Sequence, residues 1–311
     1  MSYTRVRAYA PGSVGNVGPG LDIMGMALAG PGDVVIADRV PEIGVTVRDA
    51  GHPDLPLEAG ANTAALAAQA ALRLAGVKDA GIALTIEKGL PLSGGQGGSA
   101  ASAVAGAVAA NALLGLNLTE QQLLESALAA EACVAGWHLD NILPSLIGGI
   151  VLIRDAAAYD YVRLPFPKGL RVVLAHPGQR LRTAEGRAVL PREVPRDLAV
   201  FQAAQVAGVV LALATGDLDL LRRSLEDRIA EPARARLLPG FSAAKLAALA
   251  AGALGCSISG SGPTAFAFAA DDASGRRIAE AMVAAYRREE VTATARVTEV
   301  SPTGAVVLEA G

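Results

Sequence analysis

Cysteine, histidine, lysine and aromatic side chains are all scarce in this chain of 311 residues. Two cysteines, Cys133 and Cys256, make no disulfide framework, and three histidines, His52, His138 and His176, add no zinc-ligand spacing. A reducing, cytoplasmic setting is expected from that usage. Positive charge is not in excess either. With 27 Lys plus Arg against 30 Asp plus Glu, the net charge is −3, so no global field draws nucleic acid or an acidic membrane, and neither is expected as a partner. Any anion has to be held by a local site. The start, MSYTRVRAYAPGS, lacks the basic segment, apolar stretch and small-residue cleavage site of a signal peptide, so none is expected.

Charge is also missing from residues 89–119, in a sequence that is 52% hydrophobic with a mean hydropathy of +0.38. That run opens on Pro91, Gly94, Gly95, Gln96, Gly97 and Gly98 and continues in Ala, Gly, Ser and Asn. Glycine-rich irregular backbone is not tolerated facing lipid, and alanine adds little to insertion. The run therefore predicts a small-residue helix packed tightly inside a folded protein.

Periodicity and breakers order the rest. Strand-like runs at Arg5 to Ala10 and Val34 to Ala37 flank a segment dense in glycine and proline, which reads as a structured loop. Helices are expected at Thr63 to Leu74, Ser99 to about Leu114, and Thr119 to Val134, the last opened by a Thr119 and Gln122 capping box. GIALTIEKG from Gly81 and IGGIVLI from Ile147 read as strands. LPFPKG, from Leu164, is a break that divides the chain into expected domains 1–166 and 167–311. Beyond it come a strand, RVVLAHP, helices at Asp197 to Thr215, Leu218 to Arg228 and Ser242 to Ala251, strand-like SISGSGPTAFAFA, a helix at Ala273 to Arg288 and two short strands. Strands and helices do not alternate strictly, and no repeat is visible. An α+β fold of two layers is expected rather than one parallel sheet.

Three glycine-rich loops stand out. PLSGGQGGSAAS, from Pro91, lies between a strand and a helix, where glycine backbone and a helix N-terminus suit a phosphate chain. No Gly-Lys dipeptide occurs, which excludes a Walker A loop. Gly95, Gly97 and Ala100 satisfy a dinucleotide fingerprint, but Pro91 interrupts the approach, and the acidic residue expected further on is Glu120, at a helix start. PGSVGNVGPGLD, from Pro11 to Asp22, carries Asn16 and Asp22, which suit an ammonium or hydroxyl ligand or simple turn chemistry. GCSISGSGPT, with Ser259, Gly260, Ser261 and Gly262, is the third.

Together these segments resemble the three signature motifs of the GHMP small-molecule kinases. The second motif, P-x-x-x-G-L-G-S-S-A-A, is matched by Pro91, Gly95, Gln96, Gly97, Gly98, Ser99, Ala100 and Ala101. Pro11, Ser13, Asn16, Gly18, Pro19, Gly20 and Asp22 resemble the homoserine kinase form of the first, P-A-S-S-A-N-L-G-P-G-F-D. WHLDNILPSLIGG, TAEGRAVLP and EPARARLLPGF carry the likeness through both halves. Gln96 stands where leucine is usual and Gly98 where serine is usual; Leu139, Leu21 and Ala233 are further departures.

The resemblance implies a two-domain GHMP kinase architecture, an N-terminal domain like domain 2 of ribosomal protein S5 and a ferredoxin-like C-terminal domain. It implies ATP and Mg²⁺, a small-molecule acceptor, L-homoserine, phosphorylated on its side-chain hydroxyl, and a homodimer. It places ATP on Asn62, Pro91, Ser93, Gly94, Gly95, Gln96, Gly97, Gly98, Ser99 and Ala100, and the metal on Ser99 and Glu131. Glu131 is independently notable as the one charge between Glu125 and His138, in an apolar stretch. Asn62 also reads as a helix N-cap. The acceptor falls to Asn16, Asp22, His138, Arg187 and Arg234. Asn141 and Thr183 would orient the reacting groups, with Asp140 as the competing candidate for a base. The rival readings are another acceptor (threonine, pantoate, shikimate or mevalonate) and a non-catalytic sensor on the same fold.

Overall fold

The proline-glycine break at residues 164–169 separates two β-sheets in the computed structural model, which describes residues 3–134 and 136–311. Before the break come β1 (Arg5–Gly15), β2 (Met24–Val40), β3 (Gly44–Asp49), α1 (Thr63–Leu74), β4 (Gly81–Glu87), α2 (Gly98–Leu114), α3 (Glu120–Val134), α4 (Leu139–Ile147), β5 (Ile150–Asp155) and β6 (Asp160–Leu164). After it come β7 (Arg171–Pro177), α5 (Thr183–Ala188), α6 (Arg196–Thr215), α7 (Leu218–Ser224), α8 (Ala230–Ala235), α9 (Phe241–Ala250), β8 (Gly255–Ile258), β9 (Ala265–Ala269), α10 (Asp272–Arg288), β10 (Ala293–Thr298) and β11 (Val306–Ala310).

The first sheet runs β11-β1-β2-β4-β3. Its long β2 pairs β4 along Val34–Val40 and, at its other end, β5 along Met24–Met26. Helices α1 to α4 supply the core of this unit, and alanine dominates it. The uncharged run forms α2 as expected. A Cβ on Gly106 would lie 2.3 Å from the Ala64 carbonyl oxygen, so α1 and α2 touch backbone to backbone.

The second sheet has the order β10-β7-β9-β8, which is the 4-1-3-2 arrangement of a βαββαβ ferredoxin-like unit. Period-2 alternation buries both of its faces. Val172, Leu174, Phe266 and Phe268 face a core shared with Met24, Met26 and Leu28 of the first sheet, while Val173, Ala175, Ala265 and Ala267 pack on α9 and α10. The first of these cores holds the two sheets together. Helix α6 is long and apolar enough to cross a bilayer by length and composition. Its Val209, Ala212 and Leu213 are buried in the inter-sheet core, and Gln202 is buried in hydrogen bonds.

Several elements differ from the expectation. Residues 11–15 continue β1 instead of opening a loop, and the helix expected at Leu218 to Arg228 ends at Ser224. Helix α4 was hidden by Pro144, which reads as a breaker but sits inside this nine-residue helix. The expected second domain, 167–311, gives up its last strand: β11 pairs antiparallel with β1 in the first sheet. Nothing local in a short apolar run announces which distant edge it joins.

Candidate active site

The three glycine-rich loops converge on a cleft of about 1070 Å³ between the sheets. They are tied through their main chains. The carbonyl of Gly94 accepts from Thr264 Oγ1 (2.5 Å), that of Gly95 from Ser259 Oγ (2.5 Å) and that of Gln96 from the Ser13 N–H (3.1 Å). These peptides are trans, so each following N–H, on Gly95, Gln96 and Gly97, points to the opposite side. None of the three donates to another group among the described residues. Three free amides next to the N-terminus of α2 make an anion cradle. Gly95 (φ +73°) has to be glycine on two counts, since a Cβ there would also lie 2.6 Å from the Ser259 carbonyl oxygen.

At the first turn of α2, Ser99 Oγ donates to Glu131 Oε2 on α3 (2.6 Å). Glu131 is 4% exposed, and burial pushes its carboxyl upward, against the Ser99 hydrogen bond and the nearby His138. An oxygen-only pair of this kind suits a hard cation.

The other end of the cleft is built on α4. Gly15 ends β1 beneath its first turn, where a Cβ would lie 2.4 Å from Asp140 Oδ2 and 2.5 Å from Asn141 Nδ2. Asn141 Oδ1 accepts from Ser13 Oγ (3.0 Å), and Asp140 Oδ2 from the Asn16 N–H (3.0 Å). Burial, followed by the charge of Asp22, raises the Asp140 carboxyl from the ordinary 3.8 to about 6. One ligand atom from each of Asp22, His138 and Asp140 lies within 4.8 Å of the others. Asn16 (φ +70°) and Asp22 (φ +61°) are held by an Asp22 N–H to Asn16 Oδ1 bond.

Facing these carboxylates are two arginines. Arg187 of α5 forms a bidentate pair with Asp22 (2.7 and 3.2 Å), about 44% exposed on both sides and therefore cheap to open. Arg234 of α8 is 3% exposed and donates to the carbonyls of Gly186 and Gly260 (3.0 Å each). It makes no ion pair among the described residues, and burial depresses its pKa. A buried guanidinium of this kind can receive an anion.

Comparison with known proteins gives the family. Residues 62–149 match the family described as GHMP kinases N terminal domain, and residues 209–288 match GHMP kinases C terminal. A homoserine kinase of Chlorobium phaeobacteroides is 40% identical, covering 90% of this chain and 92% of that protein. One of Arabidopsis thaliana is also 40% identical, over 91% of this chain and 79% of that protein. The crystal structure of homoserine kinase from Cytophaga hutchinsonii superposes with a TM-score of 0.94 at 37% identity, covering 98% of each chain. The chain belongs to the GHMP kinase family. It is a kinase by that membership, built on the family's two-domain α+β fold.

Most of the residues expected in the site of this GHMP kinase line one cleft: Asn16, Asp22, Asn62, Pro91, Ser93, Gly94, Gly95, Gly97, Gly98, Ser99, Glu131, His138, Asn141, Thr183, Arg187, Arg234, Gly260, Ser261 and Gly262. Three expected residues do not. Ala100 points into the alanine core, Ser259 is spent on the Gly95 carbonyl, and the Gln96 side chain is buried behind the loop. Asn62 borders the cleft, but its polar atoms are used: Oδ1 caps α1 through Ala64 and Ala65, and Nδ2 donates to the Pro56 carbonyl.

The cleft also holds residues the sequence reading passed over. Lys88 Nζ donates to a fully buried Asp33 carboxylate, to the Gly98 carbonyl (3.1 Å) and to Ser102 Oγ (3.0 Å). Asp33 also accepts the N–H groups of Gly89 and Leu90, so it anchors the entry to the phosphate loop. An acid placed just before the apolar run VVIA was the available signal, because such a charge is seldom buried unpaired. Arg180 and Asp54 pair across the cleft mouth at 2.7 Å, an exposed contact with no sequence signature.

Proposed function

We propose that this kinase transfers the γ-phosphoryl group of ATP to the side-chain hydroxyl of L-homoserine, a step toward threonine. The observation that carries the acceptor is the charge pattern opposite the phosphate loop. Asp22 and Asp140 lie beside His138, and the buried Arg234 has no carboxylate partner among the described residues. A free amino acid brings the ammonium and the carboxylate that satisfy both sides. The names of the relatives support the same acceptor.

In this reading the amides of Gly95, Gln96 and Gly97 hold the phosphate chain, with Pro91, Ser93, Gly94 and Gly98 shaping its path. Ser99 and Glu131 would hold Mg²⁺, which when bound neutralises charge on the phosphates. Arg234, joined by Arg187 once its pair with Asp22 opens, takes the acceptor carboxylate. Asp22 takes the ammonium, and Asn16 and His138 complete the pocket. Asn141 and Thr183 orient the hydroxyl and the γ-phosphate. Asparagine accepts no proton at neutral pH, so the hydroxyl proton leaves late, as a loose transition state permits. A second reading makes Asp140 the base, favoured by a carboxyl raised to about 6 at the edge of the same pocket. Asp140→Asn losing several orders of magnitude in kcat, with Asn141→Ala mild, selects the second reading; the reverse selects the first.

A cytoplasmic homodimer belongs to this proposal. The uncharged stretch between Asp197 and Asp217 exposes Val200 and Leu211 on α6, which supports self-association, and light scattering at micromolar concentration measures it. The deciding assay is magnesium-dependent ADP release with L-homoserine, L-threonine, L-serine, pantoate, shikimate and mevalonate, compared by kcat/KM. Preference for homoserine is the expected result. Turnover of another acceptor overturns the pocket assignment and leaves the kinase reading standing.

A further inference from the structure

The Gln96 side chain, in a position where the family motif carries leucine, is buried behind the phosphate loop between one partner on β10 and one just before β9. Arg296 of β10 donates through Nη2 to Gln96 Oε1 (3.2 Å) and through Nη1 to the Ala29 carbonyl (3.2 Å). A guanidinium only donates, which fixes the amide orientation and directs Gln96 Nε2 at Thr264 Oγ1 (3.3 Å). The Thr264 hydroxyl gives its one proton to the Gly94 carbonyl at 2.5 Å. It therefore accepts from both Gln96 and His176 Nδ1 (3.0 Å), which makes Nδ1 the protonated nitrogen of that imidazole. All hydrogen-bonding positions of the hydroxyl are then filled.

This network bears on the nucleotide through one peptide. The phosphate loop belongs to the first unit, between β4 and α2, yet the Gly94 carbonyl is held by the second sheet through Thr264. Turning that carbonyl turns the Gly95 N–H away from the cleft. Arg296 forms no ion pair among the described residues, so Gln96 and the Ala29 carbonyl are the acceptors that hold it behind the loop.

We propose that Gln96 is a positioning residue for the nucleotide phosphates, clamped between Arg296 and Thr264 so that the amides of Gly95 to Gly97 stay aimed into the cleft. The inference rests on the reading that those amides hold the phosphate chain.

The test compares Gln96→Leu, Arg296→Met, their double variant and Gln96→Glu with the parent, by steady-state kinetics and by calorimetric binding of MgADP. Each single variant is expected to raise KM for ATP and Kd for MgADP about tenfold, with kcat and acceptor KM within twofold. The double variant is expected to match the worse single, because the two side chains act as one unit. Gln96→Glu keeps a partner for Arg296, and so the fold, but cannot donate to Thr264. It should weaken MgADP at least as much as Gln96→Leu does. Unchanged nucleotide binding in Gln96→Glu, additive losses in the double variant, or a fall in kcat with KM for ATP unchanged each overturn the proposal. A parent protein that fails to bind MgADP overturns the underlying nucleotide reading as well; binding by the parent with no change in the variants overturns the inference alone.

Discussion

Replacing Asp140 by Asn is expected to stabilise the protein, most of all above neutral pH. Asp140 is 2% exposed, and its carboxyl is raised from 3.8 to about 6, chiefly by burial and then by Asp22. A folded-state value above the unfolded one means that ionisation opposes folding. The group costs nothing below about pH 4, and its penalty grows as pH rises toward 6 and is flat above about 7. Two units correspond to about 3 kcal/mol, of which roughly half is already present at pH 5. Asparagine keeps an oxygen for the Asn16 N–H and carries no charge. Urea unfolding at pH 5 and pH 8 should therefore show Asp140→Asn more stable at both, the gap widening by about 1 kcal/mol at the higher pH. A variant less stable than the parent at pH 8, or a gap independent of pH, refutes the reasoning.

Arg234→Met should raise KM for the acceptor about 10–100-fold, the worth of a charged hydrogen bond, and leave KM for ATP nearly unchanged in initial-rate assays. Glu131→Gln should raise the magnesium concentration for half-maximal activity at least about tenfold, measured by metal titration at saturating ATP. Gly15→Ala pushes a methyl against Asp140 and Asn141, so kcat should fall while calorimetric MgADP affinity stays within about twofold. Gly106→Val forces α1 and α2 apart and should lower stability by about 1–3 kcal/mol in urea titration, with substrate KM values unchanged.

Local signals account for what could be read along the chain. The bounds of α1 were legible because Asn62 caps an alanine-leucine stripe, and α2 because glycines open an uncharged run of small residues. The apolar run of β7 and the Ala-Phe alternation of β9 were legible as strands, while the burial of both their faces was not. Helix α4 was not read, because Pro144 imitates a breaker, although Leu139, Ile142, Leu143 and Leu146 keep helical spacing around it. Of the site, the residue types were visible, and so was the capping role of Asn62, but the side-chain partners of Gln96 were not. Asn62 is bound up in its own cap, and Gln96 faces away from the ligand it seemed placed to touch.

By itself the sequence determined the helices and strands with strong periodicity, the three glycine-rich loops, and the set of polar residues from which a kinase site is made. Those properties depend on backbone freedom and side-chain spacing within a few neighbours. Only the tertiary structure decided which loop carbonyls are held by Thr264, Ser259 and Ser13. It also decided that Asp140 is buried against Asp22, that Arg234 is held by the carbonyls of Gly186 and Gly260, and that β11 returns to β1. Each of these is a contact between residues distant along the chain, and its partner is selected by packing that no local pattern encodes.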